Sequence, residues 1–410
     1  MKCRHCKSSI EFTLIDLGSA PPSNAYLTEI TLRRPEKHFP LRVLVCENCW
    51  LVQAEDYSRA AELFNDEYAY FSSFSVGWLE HSERYVLKMI EKFNLSRNSF
   101  VVEVASNDGY LLQYFQQRSI PCLGIEPTSS TANAARAKGI ETLEKFFGVK
   151  LAEELIFRGI RASLIIANNV LAHVPDINDF VSGFETLLAD DGIATFEFPH
   201  LLNMISEHQF DTIYHEHFSY LSLSTVNEIF EKCGLEIFDV EEISTHGGSL
   251  RVYAQKKKTG IHPVESSVKN LVEIENQSGM KSREFYQGFK NSAELVKHDL
   301  LRFLLDAKME NKKTVGYGAA AKGNTLLNYA GVGKDLIELI VDRNPSKQGK
   351  FMPGSRIPIL HEGVLAEIKP DYILILPWNL IGEITEQLSY TKEWGCKIVT
   401  AQPRLTLYQQ

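Results

Sequence analysis

Four reactive side chains follow one another near the middle of the chain, at Tyr214, His215, Glu216 and His217. A phenol, a carboxylate and two imidazoles can together remove a proton from carbon and stabilise the negative charge that remains. An imidazole titrates at about pH 6.5, which suits it to proton transfer near neutral pH. If the segment is extended, the two histidines share one face. A catalytic metal, with Asp211 as a third ligand, is therefore an alternative to a metal-free base.

An acidic turn earlier in the chain could bind a nucleotide-like cofactor. It follows a strand predicted at residues 100–105, where dinucleotide-binding folds have Gly-x-Gly-x-x-Gly, but here only Gly109 remains. The carboxylates of Glu103 and Asp108 disfavour a pyrophosphate and suit a cationic donor without phosphate, such as S-adenosylmethionine. Glu126 ends the next predicted strand, where a carboxylate would bind the two ribose hydroxyls.

Two further polar residues are expected at the same edge of the predicted sheet. Asn168 ends a strand that begins at Ala162, and His173 lies in the loop that follows. Ligands of open α/β sheets bind at this carboxyl edge. Glu126 and Asn168 could instead be a cap and a turn residue, and His173 could be structural, but together with the acidic turn they favour a methyl-donor site.

Two cysteine pairs near the amino terminus have the spacing of metal-binding turns, Cys3 with Cys6 and Cys46 with Cys49. Two Cys-x-x-Cys turns can place four thiolates around one tetrahedral zinc ion. Such an ion has no open coordination position, so it would stabilise the fold without taking part in chemistry. The alternatives are unligated cysteines, a redox pair, His5 as a substitute ligand, and a nucleic-acid contact of the zinc-ribbon type.

The elements that must position these residues divide the chain into three parts. Residues 1–65 contain short strands and turns, and residues 66–258 alternate helices with buried strands. Residues 259–410 begin with a polar helical stretch, which is interpreted as a solvated connection. A second alternating pattern of helices and strands follows it. Buried strands separated by helices indicate βαβ units around a parallel sheet. The buried strands are predicted at 100–105, 121–126, 162–167, 193–198, 313–317, 336–342 and 372–376.

The fold class that follows is α/β, with two alternating helix–strand patterns after a small cysteine-containing segment. The length of 410 residues agrees with two or three domains. A net charge of −9 argues against nucleic acid or an anionic membrane as a general partner. Neither a signal peptide nor a run of roughly 18 apolar residues is present, and the cysteine usage suits a reducing compartment, so a cytoplasmic location is predicted.

A second turn of small residues, 316–323, opens the last alternating pattern. Its small residues, Gly318 among them, would let backbone N–H groups reach a phosphate, and Lys322 adds a positive charge. Asp342 follows the next predicted strand, at the place of a ribose-binding acid. Taken alone the turn would suggest an NAD site, and Lys322 could also be an ordinary surface lysine.

Together these residues resemble the sugar C-methyltransferases that act on nucleotide-linked keto-deoxysugars, whose type enzyme is the C-3′-methyltransferase of tetronitrose biosynthesis. The resemblance extends in the same order over essentially the whole chain, and its most specific part is Tyr-His-Glu-His. The matching positions are the four paired cysteines, residues 68–75 with Trp78, and residues 103–109, 168–176, 196–200, 210–220 and 316–323.

The resemblance implies a small zinc-binding amino-terminal domain, a central Rossmann-like methyltransferase domain and a second Rossmann-like α/β domain. It also implies a structural zinc and S-adenosylmethionine as the methyl donor. The substrate would be a keto-deoxysugar linked to a nucleotide, with dTDP as the expected nucleotide, bound in a cleft between the domains. His217 would be the general base, Tyr214 and Glu216 its active-site partners, and Tyr68 and His173 the remaining polar groups at the sugar. The base would remove the proton next to the ketone, at C-3′ of a 4-keto sugar, and the enolate would accept the methyl group.

The donor would be held by the acidic turn and its neighbours, and the nucleotide of the substrate by Gly318 and Lys322. Ala105 stands where many methyltransferases have glycine. Two other functions use the same features: a nucleotide-sugar epimerase or isomerase, and a non-enzymatic zinc-ribbon module that binds a nucleotide. The oligomeric state is left open by the sequence. The residues expected to hold the donor are Glu103, Ala105, Asn107, Asp108, Gly109, Glu126 and Asn168.

Overall fold

The computed structural model describes residues 1–57 and 71–408, which form three β-sheets with helices packed on them. The first sheet is antiparallel. One of its edge strands closely follows residues 210–217, the reactive segment that contains Tyr-His-Glu-His. Its strands are β1 (Phe12–Ala20), β2 (Phe39–Val45), β3 (Val52–Ala54) and β9 (Ser219–Tyr220). Because Val52 pairs with Tyr220, the residues that follow Tyr-His-Glu-His belong to the amino-terminal sheet.

The central sheet has seven strands within the described residues. They are β4 (Val101–Val104), β5 (Cys122–Ile125), β6 (Thr142–Leu143), β7 (Ala162–Asn168), β8 (Leu188–Pro199), β10 (Leu235–Ile243) and β11 (Ser249–Lys256). Their spatial order is β10-β11-β8-β7-β4-β5-β6, and within this sheet β11 alone runs against its neighbours. The order reverses between β4 and β7, so the carboxyl ends of these two strands form the crevice where open sheets bind ligands.

Seven helices of the described chain accompany the central sheet. They are α1 (Val76–Phe93), α2 (Leu112–Gln116), α3 (Ser129–Ala137), α4 (Val149–Phe157), α5 (Ile177–Leu187), α6 (Leu201–Ser206) and α7 (Leu223–Lys232). Helix α5 shows why they form: the Asp176 carboxylate caps the N–H of Asp179, and Ile177, Phe180 and Phe184 bury one apolar stripe.

The third sheet repeats the alternating pattern near the carboxyl terminus. Its strands are β12 (Thr314–Tyr317), β13 (Ile340–Val341), β14 (Ile359–Leu360), β15 (Tyr372–Ile375), β16 (Lys397–Thr400) and β17 (Thr406–Tyr408). They lie in the order β14-β13-β12-β15-β16-β17 and are parallel except for β17. The helices of this part are α8 (Ser266–Gln277), α9 (Arg283–Tyr286), α10 (Phe289–Met309), α11 (Ala321–Ala330), α12 (Val364–Ile368) and α13 (Ile381–Gln387).

The polar helical stretch is not a solvated connection. Helix α10 buries Val296, Leu300 and Leu304 along one side, with the spacing of an amphipathic helix. The same apolar cluster contains Phe210 and Ile213, so the start of the reactive segment is packed between the amino-terminal sheet and the carboxyl-terminal domain. Among the described helices, none is both long and apolar enough to cross a membrane. The domain limits at residues 65 and 258 stay predictions.

Candidate active site

The four paired cysteines converge on one point. All four Sγ atoms lie within 4.8 Å of one another, and the Cys3–Cys49 and Cys6–Cys46 pairs are each 3.5 Å apart. Zinc–sulfur bonds of about 2.3 Å place the sulfurs of a tetrahedral site roughly 3.8 Å apart, so the cluster fits a zinc ion held by four thiolates. His5 is not part of it, because its Nδ1 contacts Asn178 Oδ1 at 2.8 Å.

The catalytic metal considered for Asp211, His215 and His217 is not supported. Within residues 1–57 and 71–408, no second group of three or more histidine, cysteine or acidic side chains comes close enough to hold an ion. His215 points into the amino-terminal sheet, where its Nε2 lies 3.1 Å from the carbonyl oxygen of Phe39. The two histidines therefore have different surroundings.

The turn after β4 has the tight backbone expected of a cofactor loop. Ala105, Asn107 and Gly109 have φ angles of 58°, 49° and 74°, and the N–H of Gly109 donates to the Ser106 carbonyl at 3.0 Å. A Cβ on Gly109 would lie 2.4 Å from Ile140 Cδ1, which explains the glycine there. Ala105 adopts a left-handed conformation that glycine accepts without strain and alanine does not.

Three buried carboxylates surround this turn. Burial raises the pKa of Glu103 well above its usual value, and the neighbouring charges of Asp108 and Glu126 raise it further, while Tyr110 opposes them. Burial also raises the pKa of Glu126, although its oxygens accept the N–H groups of Asn107 and Thr128, each at 2.9 Å. Such a concentration of buried acids favours a cationic ligand.

Several acceptor atoms at this edge have no hydrogen-bond partner among the described residues. Asp108 Oδ1 and Asn168 Oδ1 are among them, and both residues are buried. Buried acceptors are costly unless a donor reaches them, so a ligand that brings N–H or O–H groups would stabilise the site. The acids and the unpaired acceptors together fit S-adenosylmethionine, which carries a sulfonium, an ammonium and two ribose hydroxyls.

His217 is held as a neutral base. Its Nδ1 lies 2.8 Å from the carbonyl oxygen of Thr212, which can only accept, so Nδ1 carries the hydrogen and the lone pair is on Nε2. Burial lowers the pKa of His217 well below its usual value, and the charges of His173, Lys322 and His246 contribute. The ring is therefore unprotonated near neutral pH and can accept a proton from carbon.

Tyr214 and His173 are brought next to this base. Their ring centres lie 3.9 and 4.6 Å from that of His217. Burial lowers the pKa of His173 to about 4, which makes it a neutral hydrogen-bonding group. Behind His217 is a small enclosed cavity of about 20 Å³ bordered by Thr212 and Tyr220, enough for about one water molecule. Tyr68, the other residue predicted at the sugar, lies outside the described residues.

The side chain of Glu216 contacts the amino-terminal domain. Its Oε2 accepts a hydrogen bond of 2.6 Å from Asn24 Nδ2, and burial raises its pKa to about 7. Tyr26, two residues further on, donates to the Ala319 carbonyl at 2.6 Å. One short loop of the amino-terminal domain thus contacts both the reactive segment and the carboxyl-terminal turn.

Sequence reasoning missed Trp378 of the carboxyl-terminal domain, His246 of the central domain and Asn24 of the amino-terminal domain. Trp378 Nε1 donates to Asp211 Oδ2 at 2.7 Å, and the carbonyl of His246 accepts a hydrogen bond of 3.1 Å from Lys322 Nζ. Burial lowers the pKa of His246 to about 4. Trp378 lies shortly after the carboxyl end of β15. Asn168 was selected because it lies at the carboxyl end of a strand, and the same criterion would have selected Trp378. His246 and Asn24 have no local pattern that distinguishes them.

The turn after β12 is already occupied by protein groups. The N–H of Ala319 donates to Asp342 Oδ2 at 2.7 Å, and the Ala319 carbonyl accepts from Lys347 Nζ at 2.8 Å. A Cβ on Gly318 would lie 2.5 Å from Pro377 Cδ, so this glycine faces another loop of its own domain. A phosphate role for Gly318 and Lys322 stays a prediction.

The seven-stranded order and the acidic turn define an α/β domain of the methyltransferase type, and comparison with known proteins gives the family. Three family models match successive segments: "Putative zinc binding domain" over residues 3–64, "Methyltransferase domain" over 78–240 and "C-methyltransferase C-terminal domain" over 244–403. The chain is 33% identical over 402 residues to C-methyltransferase NovU of Streptomyces niveus, covering 98% of this chain and 95% of that protein. The chain belongs to the C-methyltransferase family.

Solved methyltransferase structures resemble part of the chain. Magnesium protoporphyrin IX methyltransferase from Synechocystis PCC 6803 with bound SAM is 16% identical, with a TM-score of 0.34, covering 44% of this chain and 80% of that one. A S-adenosylmethionine-dependent methyltransferase from Clostridium acetobutylicum is 9% identical, with a TM-score of 0.36, covering 43% and 92%.

The family models and the 33% identical relative confirm the predicted family and enzyme class, and the sheets of the structure confirm the α/β fold class. The family also agrees with the predicted methyl donor and with structural zinc at the cysteine cluster. It favours methyl transfer over the epimerase and binding-module alternatives. The roles of the individual site residues stay predictions.

Proposed function

We propose that the protein transfers a methyl group from S-adenosylmethionine to the carbon next to the ketone of a nucleotide-linked keto-deoxysugar. The proposed position is C-3′ of a dTDP-4-keto-deoxysugar, which is the position implied by the family resemblance. A 4-keto group acidifies the C–H bonds of both neighbouring carbons, C-3′ and C-5′. The observation that carries the proposal is His217, a buried neutral imidazole whose lone pair is on Nε2, beside His173 and Tyr214.

The chain's own residues would prepare the substrate. His217 takes the proton from the sugar carbon, and the enolate oxygen is stabilised by polar groups of the same site. Glu103, Asp108, Glu126 and Asn168 hold the donor at the carboxyl edge of the central sheet. When bound, S-adenosylmethionine supplies an electrophilic methyl group on a good leaving group, so the remaining requirement is proximity.

The test is incubation of the protein with dTDP-4-keto-6-deoxyglucose in deuterated buffer, with and without S-adenosylmethionine, followed by mass spectrometry. We expect donor-dependent gain of one methyl group, and deuterium uptake at the adjacent carbon without donor. Deuterium uptake that never leads to methylation, although the donor binds, would contradict methyl transfer to this sugar. No change of any kind across a panel of keto-deoxysugar nucleotides would contradict the substrate class.

A further inference from the structure

Lys322 belongs to the carboxyl-terminal domain, but its side chain reaches the methyltransferase domain. It stands at the start of α11, and its Nζ donates to the His246 carbonyl at 3.1 Å and to Asn379 Oδ1 at 3.3 Å. The same ammonium lies 4.6 Å from the centre of the Trp378 ring. An ammonium group has three N–H donors, so a third hydrogen bond can go to a ligand oxygen.

The positive charge of Lys322 is not cancelled by a direct ion pair. No carboxylate of the described residues lies within 4.0 Å of its Nζ. Asp211 acts from further away: it accepts the Trp378 N–H at 2.7 Å, while the face of that indole lies against the ammonium. Burial lowers the pKa of Lys322 and the charge of Asp211 raises it, so Asp211 helps to keep the lysine protonated.

This charge acts on the proposed base. The positive charge of Lys322 lowers the pKa of His217 and of His246. The helix that carries it also contacts the residues next to the base, since Thr325 Oγ1 donates to the Ile213 carbonyl at 2.7 Å. A cation beside an imidazole keeps the ring neutral before the reaction. The same cation favours any negative charge that develops next to it once the proton has moved.

Protein groups already occupy part of the turn that precedes Lys322. A loop that binds phosphate needs backbone N–H groups that are free to donate to the ligand. The N–H group of Ala319 instead donates to the carboxylate of Asp342. The carbonyl of Ala319 binds Tyr26 and Lys347, and Lys347 also lies 3.6 Å from Asp342. The ammonium of Lys322 turns away from this turn, toward His246.

We propose that Lys322 is a catalytic residue that stabilises the enolate oxygen formed when His217 removes the sugar proton. In this step the C–H bond breaks and the proton binds Nε2 of His217. The electron pair forms the C=C bond of the enolate, and the carbonyl π electrons move to the oxygen, whose negative charge accepts a hydrogen bond from Nζ. The inference rests on the proposed function, and it gives the carboxyl-terminal domain a direct part in the chemistry.

The test compares Lys322→Gln and Lys322→Arg with the unchanged protein, using deuterium exchange into dTDP-4-keto-6-deoxyglucose without methyl donor. The affinity for dTDP is measured in parallel by calorimetry. We expect exchange to fall by about 100-fold or more in the glutamine variant and to recover in part in the arginine variant, with dTDP affinity changed less than about threefold. Lys334→Gln, at an exposed position of the same domain, is the control and should match the unchanged protein.

A pH profile separates catalysis from simple support of the structure. The titratable side chains that act on the pKa of His217 are His173, Lys322 and His246. The two imidazoles have pKa values of about 4 and are neutral near neutral pH, so the positive charge among them is that of Lys322. Loss of the lysine charge should therefore move the limb of the exchange profile that reports His217 to higher pH. Exchange within about threefold of normal, or a loss of dTDP affinity that accounts for the whole effect, would overturn the proposal. If the unchanged protein exchanges no keto-sugar nucleotide, the proposed function itself fails.

Discussion

The hydrogen bond between His217 and the Thr212 carbonyl decides which nitrogen of the ring can act. Since Nδ1 must donate to that carbonyl, Nε2 is the only position left for accepting a proton. Burial then keeps the ring neutral, at the cost of making the imidazolium harder to form. The negative charge of the enolate can offset this cost, but it exists only once the proton has moved. Proton transfer to His217 and stabilisation of the enolate are therefore coupled.

Replacement of the base is the most direct prediction at the residue scale. His217→Asn should lower deuterium exchange by about 100-fold or more, because the amide cannot accept the proton. Binding of S-adenosylmethionine, measured by calorimetry, should stay within about threefold. His215→Asn is a matched control, since that ring contacts Phe39 in the amino-terminal sheet. Near-normal exchange in His217→Asn would refute the assignment of the base.

Ala105 carries backbone strain that can be released. Its φ of 58° costs an alanine about 1 kcal/mol relative to glycine, so Ala105→Gly should raise the free energy of unfolding by about that amount. Ala134→Gly, inside α3, should have the opposite effect, because glycine destabilises a helix interior by about 1 kcal/mol. Urea unfolding compares the two. A destabilising Ala105→Gly would show that the turn depends on the alanine side chain.

At the scale of elements, one carboxylate joins the linking helix α8 to the methyltransferase domain. Glu275 Oε1 accepts the N–H of Leu223 and lies 2.7 Å from His200 Nε2, while its Oε2 accepts the N–H and the hydroxyl of Ser224. It therefore satisfies the first N–H groups of α7, where an anion is also favoured by the helix dipole. Burial raises the pKa of Glu275, but hydrogen bonds from His200 and Ser224 outweigh it and the net pKa is lowered.

This contact predicts a stability that depends on pH. A carboxylate whose folded pKa is depressed contributes stability above its unfolded pKa of about 4.3, and the contribution is lost as pH falls through the lower folded value. Glu275→Gln should cost about 2–3 kcal/mol at pH 7, because four hydrogen bonds to a buried anion are weakened. The difference from the unchanged protein should shrink on acidification below about pH 4.

The measurement is urea unfolding of both proteins at several pH values. Glu273→Gln, at an exposed position of the same helix, is the control and should change stability by less than about 0.5 kcal/mol. A Glu275→Gln effect that does not vary with pH would mean that packing, rather than the charge, stabilises this junction.

For the whole molecule, the zinc cluster and the chemistry are connected through the amino-terminal sheet. Strand β3 pairs with β9, two residues after the base, and Asn24 binds Glu216. Structural zinc supplies folding free energy to a small domain. Loss of the ion should therefore weaken the active site although no cysteine takes part in the reaction.

Cys49→Ala tests this connection. We expect loss of one zinc per chain by atomic emission, a fall of about 10 °C or more in the unfolding midpoint, and slower deuterium exchange. Cys122→Ala, which changes a half-buried cysteine of the central sheet, should keep its zinc. Full exchange activity in a zinc-free Cys49→Ala protein would show that the amino-terminal sheet does not position the base.

Local sequence patterns predicted the positions of several strands of the fold. The strands predicted at 100–105, 121–126 and 372–376 appear as β4, β5 and β15 with ends shifted by a residue or so, because a buried strand between turns is a short-range signal. The strand predicted at 336–342 was wrong in extent, since only Ile340–Val341 pair. The apolar side of α10 was overlooked because its charges dominate the composition of that stretch.

By itself, the sequence determined what depends on residue type and spacing: the four-cysteine site, the acidic turn, the Tyr-His-Glu-His segment and the family. Tertiary structure alone decided which of these groups share a site. It separated His215 from His217 and paired β9 with the amino-terminal sheet. It also bonded Asn24 to Glu216, Trp378 to Asp211, and Lys322 to the carbonyl of His246. These contacts join residues far apart in the chain, and their partners are selected by the packing of three domains, which no local pattern records.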